Sequence, residues 1–143
     1  MKTVLVASDG SAGAERAVAF AAALAHGVSA DIVIVTASPS PNDEGLREFS
    51  RAEGATLGEV VESIARTHLA RARTIAGKAD ARVARTEIRD GDPAEIIMAA
   101  GREFAADAIV VGKRGQGRLA GLLLGSVSQK LVTLADRPVV VVP

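Results

Sequence analysis

Cysteine is absent from this chain of 143 residues, so no disulfide framework, zinc–thiolate site or thiol nucleophile can form. Trp and Tyr are also missing, three Phe supply the 2% of aromatic residues, and two His leave little for metal chemistry. Neither sign of charge is in excess: 17 Lys plus Arg face 17 Asp plus Glu, with a pI of about 6.7. No overall field draws in nucleic acid or an anionic membrane, and any charged partner has to be met locally. The longest uncharged apolar stretch near the start, Ala17 to Ala30, has 14 residues, short of the roughly 20 that a spanning helix needs. Nor does Met1-Lys2 open a signal peptide, because the apolar run from Val4 ends at Asp9. A soluble cytoplasmic protein without nucleic-acid or membrane partners is the expectation.

What is present is small and aliphatic. Apolar residues make up 48% of the chain and 28 residues are alanine, a composition suited to helices packed closely on a flat sheet. The length fits one domain, residues 1–143, large enough to bury about two thirds of its unfolded surface.

Thr3 to Ala7 is a short β-branched run that ends in Ser8-Asp9-Gly10-Ser11, and it reads as a buried strand entering a turn. Ser11 can cap a helix over Ala12 to His26, with Glu15 in its first turn and Gly27 as the stop signal. Asp31 to Ala37 is a second buried strand. The stretch Ser38 to Thr56 reads as a long connection, and Leu57 to Ala76 regains the helical period. Arg82 to Arg89 alternates imperfectly, as an edge strand does, and Asp92-Pro93-Ala94-Glu95 is a strong helix start. Asp107 to Val111 is a fourth strand, Gly112 to Gly125 a glycine-rich connection, Ser126 to Ala135 a last helix and Pro138 to Val142 a fifth strand. Strict alternation of this kind predicts an α/β fold, a parallel sheet with helices on both faces. Ligands of such sheets sit outside the carboxyl ends of the strands where the winding reverses, which directs attention to the residues after the first and fourth strands.

The fourth strand is followed by Gly112, Gly115, Gly117, Gly121 and Gly125-Ser126, the last pair opening a helix. Glycines let backbone approach a ligand, and a helix N-terminus favours an anion. Between Asp107 and Asp136 the charged residues are Lys113, Arg114, Arg118 and Lys130, so a neutral chain places +4 on one segment. A polyphosphate ligand fits that asymmetry. The P-loop pattern is absent, since Gly77-Lys78 and Gly112-Lys113 are followed by Ala79 and Arg114. Gly115-Gln-Gly117-Arg-Leu-Ala120 satisfies a relaxed dinucleotide pattern, but no second mononucleotide half can follow it. A phosphoacceptor receiver would need clustered carboxylates where Asp9 stands alone, and a lysine where Arg137 is the nearby base.

What remains is the spacing Gly112, Gly115, Gly125 and Ser126, and here the chain resembles the universal stress protein family. The resemblance extends to Val4 to Ser11, Gly91-Asp92-Pro93, Asp107 to Gly112, Leu123 to Ser128 and Arg137 to Val142. It implies the strand order 3-2-1-4-5, the three-layer α/β/α sandwich of the adenine nucleotide alpha hydrolase-like fold, and ATP as ligand, bound with or without Mg2+. Carried over by position, Asp9 would contact the adenosine, Ala7 and the backbone near Ala37 would flank the adenine, and Gly112 would touch the ribose. Gly115, Gly125, Ser126, Val127 and Ser128 would hold phosphates, with Lys113 and Arg114 beside them. Lys113 departs from the family, which more often has Ser or Thr there; an extra cation would replace part of a divalent-metal requirement. The implied role is a stress or metabolic sensor with slow ATP hydrolysis at most, since no nucleophile and base pair is visible. AMP, a cyclic nucleotide or an interaction module without nucleotide are the rival readings.

Each feature also has a plainer structural meaning. Asp9 can simply initiate a turn, Gly117, Gly121 and Gly125 can let helices approach, and Lys113 and Arg114 can be solvated loop charges. His26 reads as a helix C-terminal residue and His68 as a surface helix residue. Val139 to Val142, with neither Lys nor internal Pro, leaves an apolar edge if it ends the sheet. That edge and the resemblance both point to a homodimer through Pro138 to Val142.

Overall fold

A computed structural model describes residues 1–40, 42–115 and 123–143. Along the chain run β1 (Thr3–Ala7), α1 (Ala12–Gly27), β2 (Asp31–Ala37), α2 (Glu44–Glu53) and α3 (Leu57–Gly77), then β3 (Arg82–Arg89), α4 (Pro93–Glu103), β4 (Ala108–Gly112), α5 (Ser126–Leu134) and β5 (Val139–Val142). The strands form one parallel sheet of order β3-β2-β1-β4-β5, as the resemblance implied. Helix α2 is a correction, because it occupies much of the stretch Ser38 to Thr56 read as a connection. Asp43 accepts from the Leu46 amide (3.1 Å), Gly54 ends the helix in the left-handed region (φ 67°), and Ser50 is its one buried residue. Leu46 and Phe49 recur at helical spacing, so an apolar side was there to read, but it is only two large residues long.

The sheet separates two cores because successive side chains point to opposite faces. On one face Val4, Val6, Ile32, Ile34 and Val110 pack against Ala17, Val18, Ala21, Ala22 and Ala25 of α1 and Ala72 and Ala76 of α3. On the other, Leu5, Val33, Val35, Ile109 and Val111 meet Ala94, Ile97, Met98 and Ala100 of α4 and Leu131 of α5. The alanines of α1 let that helix lie close to the sheet, and its start comes closest. A Cβ added to Gly112 would stand 2.8 Å from the carbonyl carbon of Gly13 and 2.9 Å from its oxygen, so the two elements touch backbone to backbone.

Hydrogen bonds tie the ends of these elements. One carboxylate oxygen of Asp107, Oδ2, accepts from the amides of Lys2 (2.6 Å) and Thr3 (2.9 Å), joining the starts of β1 and β4. The Arg137 guanidinium donates to the carbonyls of Gly101 (2.5 Å) and Ala106 (2.9 Å), closing the carboxyl end of α4, and to Asp136 (2.9 Å). These bonds hold the Asp107 and Asp136 carboxyls below the usual aspartate range, through backbone amides and Arg137 respectively.

Two outcomes are expected. Gly112→Ala puts a methyl group against backbone that cannot swing aside, and should cost on the order of 1–3 kcal/mol in urea unfolding; an unchanged midpoint would show that the contact does not constrain the fold. A carboxyl with a depressed folded pKa contributes stability that is full above its unfolded value and lost as pH falls through the folded value. The gap in urea midpoint between the parent and Asp107→Asn should therefore be full at neutral pH and shrink below about pH 4.

Candidate functional site

Winding reverses between β1 and β4, since β1 pairs with β2 on one side and with β4 on the other. Helices cannot cover the sheet there, and a cleft of about 650 Å³ opens at the carboxyl ends of the strands. Ten of the eleven residues singled out from the sequence line it: Ala7 and Asp9 at the end of β1, Ala37 at the end of β2, Gly112 at the end of β4, Arg114 and Gly115 after it, and Gly125, Ser126, Val127 and Ser128 at the start of α5.

Lys113 is not among the lining residues, and its backbone has a different part. Its amide donates to the carbonyl of Val142 (2.7 Å), while its carbonyl accepts from the Gly125 amide (2.8 Å) and the Ser128 hydroxyl (2.8 Å). The backbone of one residue thus links β5, the glycine-rich connection and α5. Ser128 is 2% exposed and its hydroxyl also lies 3.1 Å from the Gly125 carbonyl, so what Ser128 offers an anion in the cleft is its backbone N–H.

The amide-rich end of the cleft is the start of α5. Helices α1 to α4 are each capped by a side chain, from Ser11, Asp43, Thr56 and Asp92. At α5 the cap is Gly125, which has no side chain to accept from the first turn. The amides of Ser126, Val127 and Ser128 stand at the positive end of the helix dipole, and an anion is the ligand they suit.

The four cations of the surrounding segment are not all directed there. Lys130 pairs with Asp92 (3.0 Å) and Glu95 (3.6 Å); Asp92 raises the lysine pKa, and Lys130 followed by the Glu95 amide lowers that of Asp92. Arg114 lines the cleft, whereas Arg118, Gly117 and Gly121 lie outside the described residues.

Asp9 joins its two readings. Its Oδ1 accepts from the Ser11 amide (2.9 Å), which shapes the turn into α1, while Oδ2 lies where a Cβ on Gly115 would stand. The carboxylate therefore touches the glycine-rich connection across the mouth of the cleft, and Gly115 must lack a side chain for it to do so.

The sequence reading missed two residues. Gly13 lets the Arg114 carbonyl approach the first turn of α1, where a Cβ would be 2.7 Å from that oxygen. His68, expected on the surface, lines the cleft with its ring against Gly10, which has φ +79°. A signal for His68 was available: Val60, Ile64, His68, Ala72 and Ala76 recur every four residues, and Val60, Ala72 and Ala76 are buried. Ser38, Pro39, Ser40, Asp43 and Leu46 add a further wall that leads into α2.

Among the described residues no helix is long and apolar enough to cross a membrane, and no group of three His, Asp or Glu could hold a metal ion. Known proteins with the same framework place the chain. It is 39% identical over 146 residues to a universal stress protein of Thermus aquaticus, covering 99% of this chain and 98% of that one. It spans about half the length of several mycobacterial universal stress proteins that it also matches. A universal stress protein solved in complex with cAMP superposes with a TM-score of 0.71 at 29% identity, over 99% of this chain and 97% of that one. The Archaeoglobus fulgidus universal stress protein in complex with dAMP gives 0.71 at 25% identity, over 100% and 98%. A sequence model of the universal stress protein family matches residues 1–143, and the chain belongs to that family.

Proposed function

We propose that this chain binds an adenine nucleotide in the cleft between β1 and β4, with ATP as the physiological ligand, and serves as a cytoplasmic stress or metabolic regulator. The uncapped start of α5, which lines one cleft of about 650 Å³ with Asp9, carries the reading; that volume lies within the usual range for small-molecule sites. The phosphates lie on the amides of Ser126, Val127 and Ser128 and near Arg114 and Gly115. The nucleoside occupies the end formed by Ala7, Asp9 and Ala37. Any Mg2+ arrives with the phosphates. Turnover is slow at most, because the Ser128 hydroxyl is engaged with backbone carbonyls and the Asp9 carboxylate with the turn and the loop. AMP or a cyclic nucleotide is the second reading, supported by the cAMP and dAMP complexes of relatives.

Mass spectrometry of ligand released from the denatured protein, with calorimetry of ATP, AMP and cAMP on the stripped protein, tests both readings. Gly125→Val is the informative variant, since even a Cβ there would lie 3.3 Å from the Arg114 Cα and the Lys113 carbonyl oxygen. It should weaken nucleotide binding by about tenfold or more while the domain stays folded; unchanged affinity would remove the phosphate site from this loop.

The same reading includes a homodimer through β5. Ile109 donates to the Pro138 carbonyl and Lys113 to that of Val142, so by alternation the N–H and C=O groups of Val139 and Val141 face away from β4. The glycine-rich connection is hydrogen-bonded to this strand through Lys113, so the two surfaces adjoin. Hydrogen exchange at the Val139 and Val141 amides should slow as protein concentration rises; independence of concentration, with a monomer in the ultracentrifuge at micromolar protein, would refute the interface.

A further inference from the structure

We propose that His68 forms the nucleoside wall of the cleft and packs its ring against the base of the bound nucleotide. The proposal rests on the nucleotide reading above and adds to it the residue that meets the base. The cleft has two chemically different ends. Its β4 and α5 end offers backbone amides and Arg114, whereas its β2 end is walled by Ala37, Leu46, Ile64 and His68. An adenine nucleotide has the same asymmetry, anionic at one end and flat and aromatic at the other, so its base belongs at the end where His68 stands.

Among the described residues that line the cleft, His68 supplies the one aromatic ring. The ring is held by packing. Gly10 lies over one face of the ring, above the Cδ2–Nε2 bond, in space that the ring takes from any Cβ on that residue. Its Nδ1 is buried and has no hydrogen-bond partner among the described residues. Gly10 backs that face, so the opposite face is the one a base would meet. Ile64, one turn earlier on α3, continues the same wall, and both residues also line a second hollow between α2 and α3. With Gly10 behind one face, the ring leaves its other face to a base, and base stacking on such a ring is sequence-tolerant but needs the π-face. Gly10 has two reasons to be glycine, its positive φ and the histidine beside it.

Calorimetry with AMP and with inorganic pyrophosphate separates the two ends of the cleft. His68→Ala should weaken AMP binding by about tenfold and leave pyrophosphate within about twofold, whereas His68→Phe should keep most of the AMP affinity. Nuclear magnetic resonance of the parent protein gives an independent reading. The His68 ring protons should shift on adding AMP and stay in place on adding pyrophosphate, with those of His26, on the distant end of α1, as the internal control. AMP affinity unchanged in His68→Ala, or His68 resonances unmoved by AMP that binds, overturns the proposal and leaves the phosphate site standing. Pyrophosphate binding without AMP binding does the same. A parent protein that binds neither ligand overturns the nucleotide reading as well. If His68→Ala does not fold, the resonance shifts in the parent decide.

Discussion

The first turn of α1 and the end of β4 meet with no side chain between them, and the site depends on that contact. Gly112 lies against the backbone of Gly13, and Gly13 in turn admits the Arg114 carbonyl. The chain then leaves the sheet with the Lys113 backbone bonded on both sides, to Val142 in β5 and to Gly125 and Ser128 at α5. A strand edge, a glycine-rich connection and a helix start are fixed by one residue whose side chain is not needed for the purpose. Close-packed backbone of this kind does not deform continuously, so the start of α5 is held in place before any ligand arrives.

Electrostatics at the cleft come from orientation more than from net charge. The chain is neutral overall, and Lys130, a cation of the phosphate-side segment, is occupied by Asp92 and Glu95. Uncapped amides at the start of α5 supply a positive potential that does not depend on a flexible side chain. The other four helices spend a Ser, Thr or Asp on those same amides. Leaving Gly125 at this one cap costs helix stability and keeps the donors for something else.

The two edges of the sheet are treated differently. Along β3, Arg82 pairs with Asp31, and Arg89 bridges Glu87 and Glu103 while lying over the Phe104 ring with Arg85. These pairs are partly covered by the sheet, and charge along an edge discourages another strand from adding to it. On β5 all four residues are valine and half-buried, Val139 and Val141 toward the α4 and α5 core and Val140 and Val142 toward the α1 and α3 core. One edge is guarded and the other is open.

The sequence by itself was enough for the architecture. Apolar runs such as Val4 to Val6 and Ile32 to Val35 are short, rich in Val and Ile and bounded by turn residues or a charge, which suits a parallel strand covered on both faces. Ser11, Asp92 and Pro93 cap the helices where their chemistry requires, and the five strands fall within about two residues of their expected bounds. The strand order came from resemblance, because alternation alone does not say where the winding reverses. Gly112, Gly115 and Gly125 of the candidate site were legible because each is a backbone requirement that residue type records directly, and the residues around them came with the resemblance. Helix α2 was passed over because its apolar side is two large residues, Leu46 and Phe49, between an Asp43 cap and a Gly54 stop. Only the tertiary structure brought His68 to Gly10 and Gly13 to Gly112, placed Asp9 against Gly115, and turned Lys130 toward Asp92. These are contacts between residues distant along the chain, set by how closely helices of alanine approach the sheet, and local sequence carries no record of that distance.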